Sequence, residues 1–242
     1  MKPKLFKKIG YILVFFCLLM EVGCMSGSNG IRTNGDKAIT YISEKYQMNF
    51  SPITYEMSDV LSETDIVHCC TEGMNEKNEH IEIYLNREDG ETVYSDNYFG
   101  FHIRPEAEAY IGSMIGSEFS EYKVFRENDY LAFPDGLTTE HTLEDLYLIY
   151  PDYWMNVKVY LKADPDMTES EYAEKIQRIE QQLIDSGHRF TISICALGES
   201  AYNAIERFTQ DDFWVFYAGN RQPDHETYYY MYKNLIVDGG II

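Results

Sequence analysis

Apolar positions recur with two different periods along this chain, and each change of period marks a change of element. Ile39, Ile42 and Tyr46 stand at i, i+3 and i+7, one face of a short helix starting near Asp36. Three extended runs follow: Ile53 to Val60, Ile66 to Thr71 and His80 to Arg87. The third alternates strictly, with Ile81, Ile83 and Leu85 on one face and Glu82, Tyr84 and Asn86 on the other. Asp89-Gly90 tolerates the positive φ of a type I′ hairpin turn, and a returning strand passes through Val93 and Tyr94 toward Phe101. Pro105 then suits the first position of a helix, with Glu106 and Glu108 at the positive end of its dipole. Ala107, Tyr110, Ile111, Met114, Ile115 and Phe119 form its apolar stripe, and Tyr122 to Arg126 reads as a strand. Residues 36–126 are thus expected to make one α+β unit.

Residues 127–153 are expected to connect it to a second unit. Asn128-Asp129, Pro134-Asp135-Gly136 and Pro151-Asp152 punctuate the segment around a short helix near Leu143 to Ile149. In residues 154–242 the pattern gives a strand over Asn156 to Lys162 and a helix over Thr168 to Ser186. That helix opens with a Thr168–Glu171 capping box and closes at Gly187. A strand follows over Arg189 to Leu197, a short helix over Ser200 to Phe208, a strand over Asp212 to Ala218, and a long last strand over Glu226 to Val237. The order fits no doubly wound pattern. It predicts an α+β fold, helices packed on a mostly antiparallel sheet, in two α+β units.

The chain starts differently. Lys2, Lys4, Lys7 and Lys8 precede an uncharged run from Ile9 to Met20, then Val22, Gly23 and Cys24. Twelve residues of helix span about 18 Å, against about 30 Å for a bilayer core. The run has the length of a signal-peptide apolar region rather than of a stable span. With the small residue before the cysteine, residues 1–24 resemble a bacterial lipoprotein signal, although Glu21 stands where that pattern carries an apolar residue. The resemblance implies removal of residues 1–23, acylation of Cys24 with palmitate-type chains, and a lipid anchor on the outer face of a bacterial membrane. Residues 24–35, rich in Gly, Ser and Asn, read as a flexible tether, about ten residues of which reach some 35 Å when stretched.

Charge changes the picture of partners. The whole chain carries 20 Lys and Arg against 40 Asp and Glu, and loss of residues 1–23 leaves a formal charge of −23. Such a field repels phosphate backbones, so nucleic acid is excluded as a partner. It accounts for solubility, and it also suits a cationic ligand.

Candidate chemistry is sparse. Gly198-Glu199-Ser200-Ala201-Tyr202 follows a strand and opens a helix, the context of a nucleophile elbow, but Tyr202 replaces the second glycine. Helix N-capping is the plainer role for Ser200, and a hydrolase using Ser200 with His225 is the alternative. Asp164 to Glu171 places oxygens as calcium loops do, without the glycine or the twelfth-position acid. His68, Cys69 and Cys70 are adjacent and cannot converge on one ion from a strand. No metal site and no cofactor is expected. Cys69, Cys70 and Cys195 read as buried thiols, with one bridge from Cys195 to Cys69 or Cys70 open to an exported protein. The most suggestive feature is tyrosine, 21 in all, with Tyr228, Tyr230 and Tyr232 sharing one strand face. They serve either cross-strand packing or a binding surface for a protein, peptide or glycan. The function expected is a membrane-anchored binding module rather than an enzyme.

Overall fold

The computed structural model describes residues 34–57, 64–74, 79–127, 132–133, 136–207 and 231–237, the last as backbone apart from Leu235 and Ile236. The chain divides into two units, with the boundary in the sequence between Asp96 and Asn97.

The first unit holds helix α1 (34–46) and strands β1 (Phe50–Glu56), β2 (Thr64–Thr71), β3 (Ile81–Glu88) and β4 (Glu91–Asp96). The strands pair in sequence order, all antiparallel. Asp89 and Gly90 have φ of 49° and 85° and join β3 to β4 through the Glu88–Glu91 pair, the hairpin their residue types favour. Opposite residues share a face, so Val67, Cys69, Ile81, Ile83, Leu85 and Asp96 point the same way. These side chains are buried. The buried line of α1 is Ala38, Ile42 and Tyr46, one position off the expected Ile39, which is only half-buried. β1 lies at a sheet edge among the described strands. It carries Pro52 and a register shift between Pro52 and Thr54, features that blunt pairing with another chain.

The second unit holds α2 (Tyr98–Gly116), β5 (Tyr122–Arg126), α3 (Leu143–Ile149), β6 (Trp154–Lys162), α4 (Glu169–Asp185), β7 (Arg189–Leu197), α5 (Glu199–Ala204) and β8 (Met231–Val237). Its sheet runs β5-β6-β7-β8, with β6 and β7 parallel across α4 and the outer pairs antiparallel. The α+β class and the two mostly antiparallel sheets agree with the sequence pattern.

The expected boundary does not. β5 pairs with β6, Val124 opposite Val159, so α2 and β5 belong to the second unit and not to a unit of residues 36–126. The segment 127–153 is likewise more than a connector, because Phe133, Leu137, Leu143, Leu146 and Tyr147 enter the second unit's core. α2 also starts at Tyr98, seven residues before Pro105, which sits inside the helix. Phe99 and Ile103 extend the line Ala107, Ile111, Ile115 by two steps of four, all buried. Each such step advances about 40° beyond a full turn, so the buried line winds slowly round the helix. That burial outweighs the one backbone bond proline removes. Gly112 and Gly116 let the ring of Tyr122 lie against α2: a Cβ added at Gly116 would meet its hydroxyl at 2.9 Å.

On the other face of this sheet α5 covers Tyr160, Cys195 and Leu197 with Ala201, Tyr202 and Ile205. The Lys123 ammonium donates to the carbonyls of Tyr202 and Ile205, each at 2.7 Å, and holds the end of that short helix.

Candidate functional site

The first unit buries a carboxylate. Asp96, the last residue of β4, has no exposed surface and faces the core opposite Ile83. A buried carboxylate is tolerated only when paired and hydrogen-bonded. Three α1 side chains supply this: the Tyr46 hydroxyl donates to Oδ1 at 2.9 Å, and Lys45 Nζ and the Tyr41 hydroxyl donate to Oδ2 at 2.8 and 3.2 Å. Lys45 also lies over the rings of Tyr41 and Tyr46, 5.6 and 5.1 Å from their centroids. Tyr41 and Lys45, four residues apart, share one helix face, and Tyr46 reaches Asp96 from the adjoining buried line of Ala38 and Ile42. Inward-facing Cys69 lies near enough that burial, the neighbouring Cys70 thiol and the Asp96 charge push its pKa up to about 12.

Above this network the surface is concave. Tyr41 stacks on Tyr94 with centroids 5.2 Å apart, and Lys37, Thr40, Glu44 and Lys45 complete a shallow, open depression of about 580 Å³. A second, of about 440 Å³, shares Thr40 and Glu44 and continues past Ser43 to Gln47 and Asn49. The two lie on adjoining sides of α1, with the exposed Thr40 and Glu44 between them.

No family model matches the chain, and no curated protein matches it. Among solved structures it is similar to a DUF5037 family protein from Ruminococcus gnavus ATCC 29149, at 16% identity and a TM-score of 0.41, covering 70% of this chain and 77% of that one. At that level of likeness nothing about function transfers.

The second unit buries its own charge. Arg126 is 1% exposed and donates to the Gly100 carbonyl and the Tyr153 hydroxyl, each at 2.7 Å. Its backbone N–H donates to Glu108, whose carboxylate Arg207 grips at 2.5 and 2.6 Å. These bonds tie α2 to β5 and to the chain after α5. They are structural ties, and no sequence motif announces them.

Ser200 is the second residue of α5 and is exposed. Gly198 holds the N-cap position without a side-chain bond, so the capping role expected of Ser200 is not what the structure shows. His225 lies outside the described residues. Cys69, Cys70 and Cys195 are buried thiols outside any disulfide, so no bridge joins Cys195 to Cys69 or Cys70. Burial raises the Cys195 pKa to about 12 as well. Along β2 the side chains alternate: Cys69 points inward, while His68 lies 3.2 Å from Glu56 and edge-on to His80. Among the described residues no three His, Cys, Asp or Glu side chains group as metal ligands. Thr168 and Glu171 form the expected capping box of α4. Tyr228 and Tyr230 lie outside the described residues. Position 232 falls on β8 opposite Cys195. Cys24 and the segment before it also lie outside them.

Proposed function

We propose that the protein is an exported bacterial lipoprotein, held by lipid on Cys24 at the outer face of a membrane, whose α+β body binds a protein, peptide or glycan. The order of residues 1–24 carries this reading: four lysines, twelve uncharged residues too short to span comfortably, then Gly23-Cys24. Two or more acyl chains give stable attachment where one binds only weakly. Among the described residues no helix is long and apolar enough to cross a membrane.

Binding rather than turnover is favoured by where reactive and amphipathic groups lie. Two of the thiols are held protonated in the core, whereas Tyr41 and Tyr94 border an open depression. Tyrosine brings a flat apolar face and a polar tip at little entropic cost, which suits recognition. Metabolic labelling with a fatty acid tests the anchor: the label is expected on the wild-type protein and lost in Cys24→Ala. Label persisting in that variant overturns the assignment.

A further inference from the structure

We infer that the face of the first unit's sheet turned away from α1 docks a short basic segment of a partner protein. This rests on the binding-module reading and names its site and partner class. Strand register sorts the residues of that face. Val67, Cys69 and Ile83 point to the core under α1, so the positions between them point the other way. There Ile66 stands directly opposite Tyr84, and Val93 lies diagonal to Tyr84 on β4. Ile66 and Tyr84 are half-buried and Val93 is 37% exposed, so the three present an apolar patch on an otherwise polar face.

Charge decides the occupant. Among the paired positions of β1 to β4 on this face stand four glutamates, Glu56, Glu82, Glu88 and Glu91, and no lysine or arginine. Lys45 and Arg87 both lie on the α1 side. The Tyr84 hydroxyl already donates to Glu82, whereas Glu56, Glu88 and Glu91 are exposed. Glu88 and Glu91 are also direct cross-strand partners at the end of the β3–β4 hairpin. Like charges placed so cost stability, and a bound cation relieves them. These carboxylates flank the patch, Glu56 beside Ile66 on β1 and the Glu88–Glu91 pair beyond Val93. The complementary segment has an apolar centre with basic residues on both sides. A second copy does not fit, because each mature body carries a formal charge of −23. The chain's own lysine-rich stretch, Lys2 to Lys8, leaves with residues 1–23 on the lipoprotein reading. Four strands about 4.8 Å apart and about 20 Å long give a face of roughly 15 by 20 Å. That is well under the about 800 Å² per partner of a standard interface, so a short segment fits and a whole domain does not.

The test is fluorescence anisotropy of a labelled peptide with lysines on both sides of a leucine-valine centre, titrated with the full lipidated chain in nonionic detergent. A second peptide carries glutamate in place of each lysine. The lysine peptide is expected to bind and the glutamate peptide is not. The triple variant Glu56→Gln, Glu88→Gln, Glu91→Gln should weaken binding about tenfold at low salt, with an unchanged circular dichroism spectrum. The whole body is acidic, so a control removes the same charge elsewhere. Glu169→Gln, Glu174→Gln and Asp185→Asn, all exposed on α4, should together change the affinity by less than about twofold. Val93→Thr, which removes apolar contact and no charge, should also weaken binding. Equal weakening by the two triple variants, binding of the glutamate peptide, or no binding at all overturns the inference. If that happens while Cys24-dependent labelling persists, or while the body captures a glycan, only the basic-segment assignment falls.

Discussion

The hydroxyl of Tyr46 donates to Asp96 Oδ1 at 2.9 Å across fifty positions of sequence, pinning α1 to the far edge of its sheet. Lys45 makes the charged half of the same clasp, with its side chain 7% exposed and that of Asp96 fully buried. Asp96→Ala strands the ammonium and should cost about 3–5 kcal/mol. Tyr46→Phe loses one bond to a charged acceptor, about 1.5–3 kcal/mol. Urea unfolding of both variants and of the pair should show effects well short of additive.

Gly100 should not tolerate a methyl group. A Cβ there would sit 3.0 Å from the Phe133 ring and 3.3 Å from both terminal nitrogens of Arg126, groups that are themselves buried. The helix-propensity gain of Gly→Ala is about 1 kcal/mol. Overpacking costs typically 1–3 kcal/mol, and the lost approach of Arg126 to the Gly100 carbonyl adds to it. Gly100→Ala is therefore expected to lower thermal stability despite its helical setting.

Acid should loosen α3 and α4 together. Thr142–Asp145 and Thr168–Glu171 form capping boxes, and the backbone and hydroxyl bonds from the threonines lower both carboxyl pKa values. A lowered folded-state pKa contributes stability present above the ordinary carboxylate range and lost as pH falls through the folded value. Helical circular dichroism should fall below about pH 4. Glu171→Gln keeps a box that does not titrate and should shrink that acid limb.

His188 gives a second pH dependence at a higher range. It stacks on Tyr147 with centroids 3.8 Å apart, beside Tyr110 and Phe190, and burial lowers its pKa despite Glu144 at 3.6 Å. The unfolded chain takes up this proton first. Stability is thus full above about pH 6.5 and declines as pH falls from there through the lowered value. His188→Phe should flatten the melting temperature between pH 7 and 5, and an unchanged slope would remove His188 as its cause.

The thiols should be silent in the native protein. With Cys69 and Cys195 pushed up to about 12, a thiol reagent should label them only after denaturation. Reductant should leave the mass unchanged.

Local signals were legible in the sequence wherever one residue type answers one geometric demand. Asp89-Gly90 met the need for positive φ, Thr168–Glu171 the orphan amides of α4, and the alternation of Ile81, Ile83 and Leu85 the pleat of β3. Partner choice between strands was not legible. Nothing in Tyr122–Arg126 says that β5 pairs with β6, thirty residues on, and that silence moved the unit boundary from 96 to 126. Pro105 misled for a related reason: as a helix-start signal it is local, while burial of Phe99 and Ile103 is tertiary. The stacking of Tyr41 on α1 against Tyr94 on β4 escaped because it joins residues of two distant elements that no local pattern pairs. The tyrosines that did stand out, Tyr228 to Tyr232, were conspicuous only by their density.

The two sheets also differ in when they can form. In the first, each strand pairs with the one before it, so the sheet can close as soon as residue 96 has been synthesised. The second cannot close that way: β6 must wait for α4 to bring β7 alongside it in parallel, and β7 must then wait for β8 near the end of the chain. Pairings that span long stretches of chain form slowly. A ribosome that stalls between residues 163 and 188 therefore carries one finished sheet followed by strands β5 and β6 with no β7 to pair with, the species on which a chaperone would act.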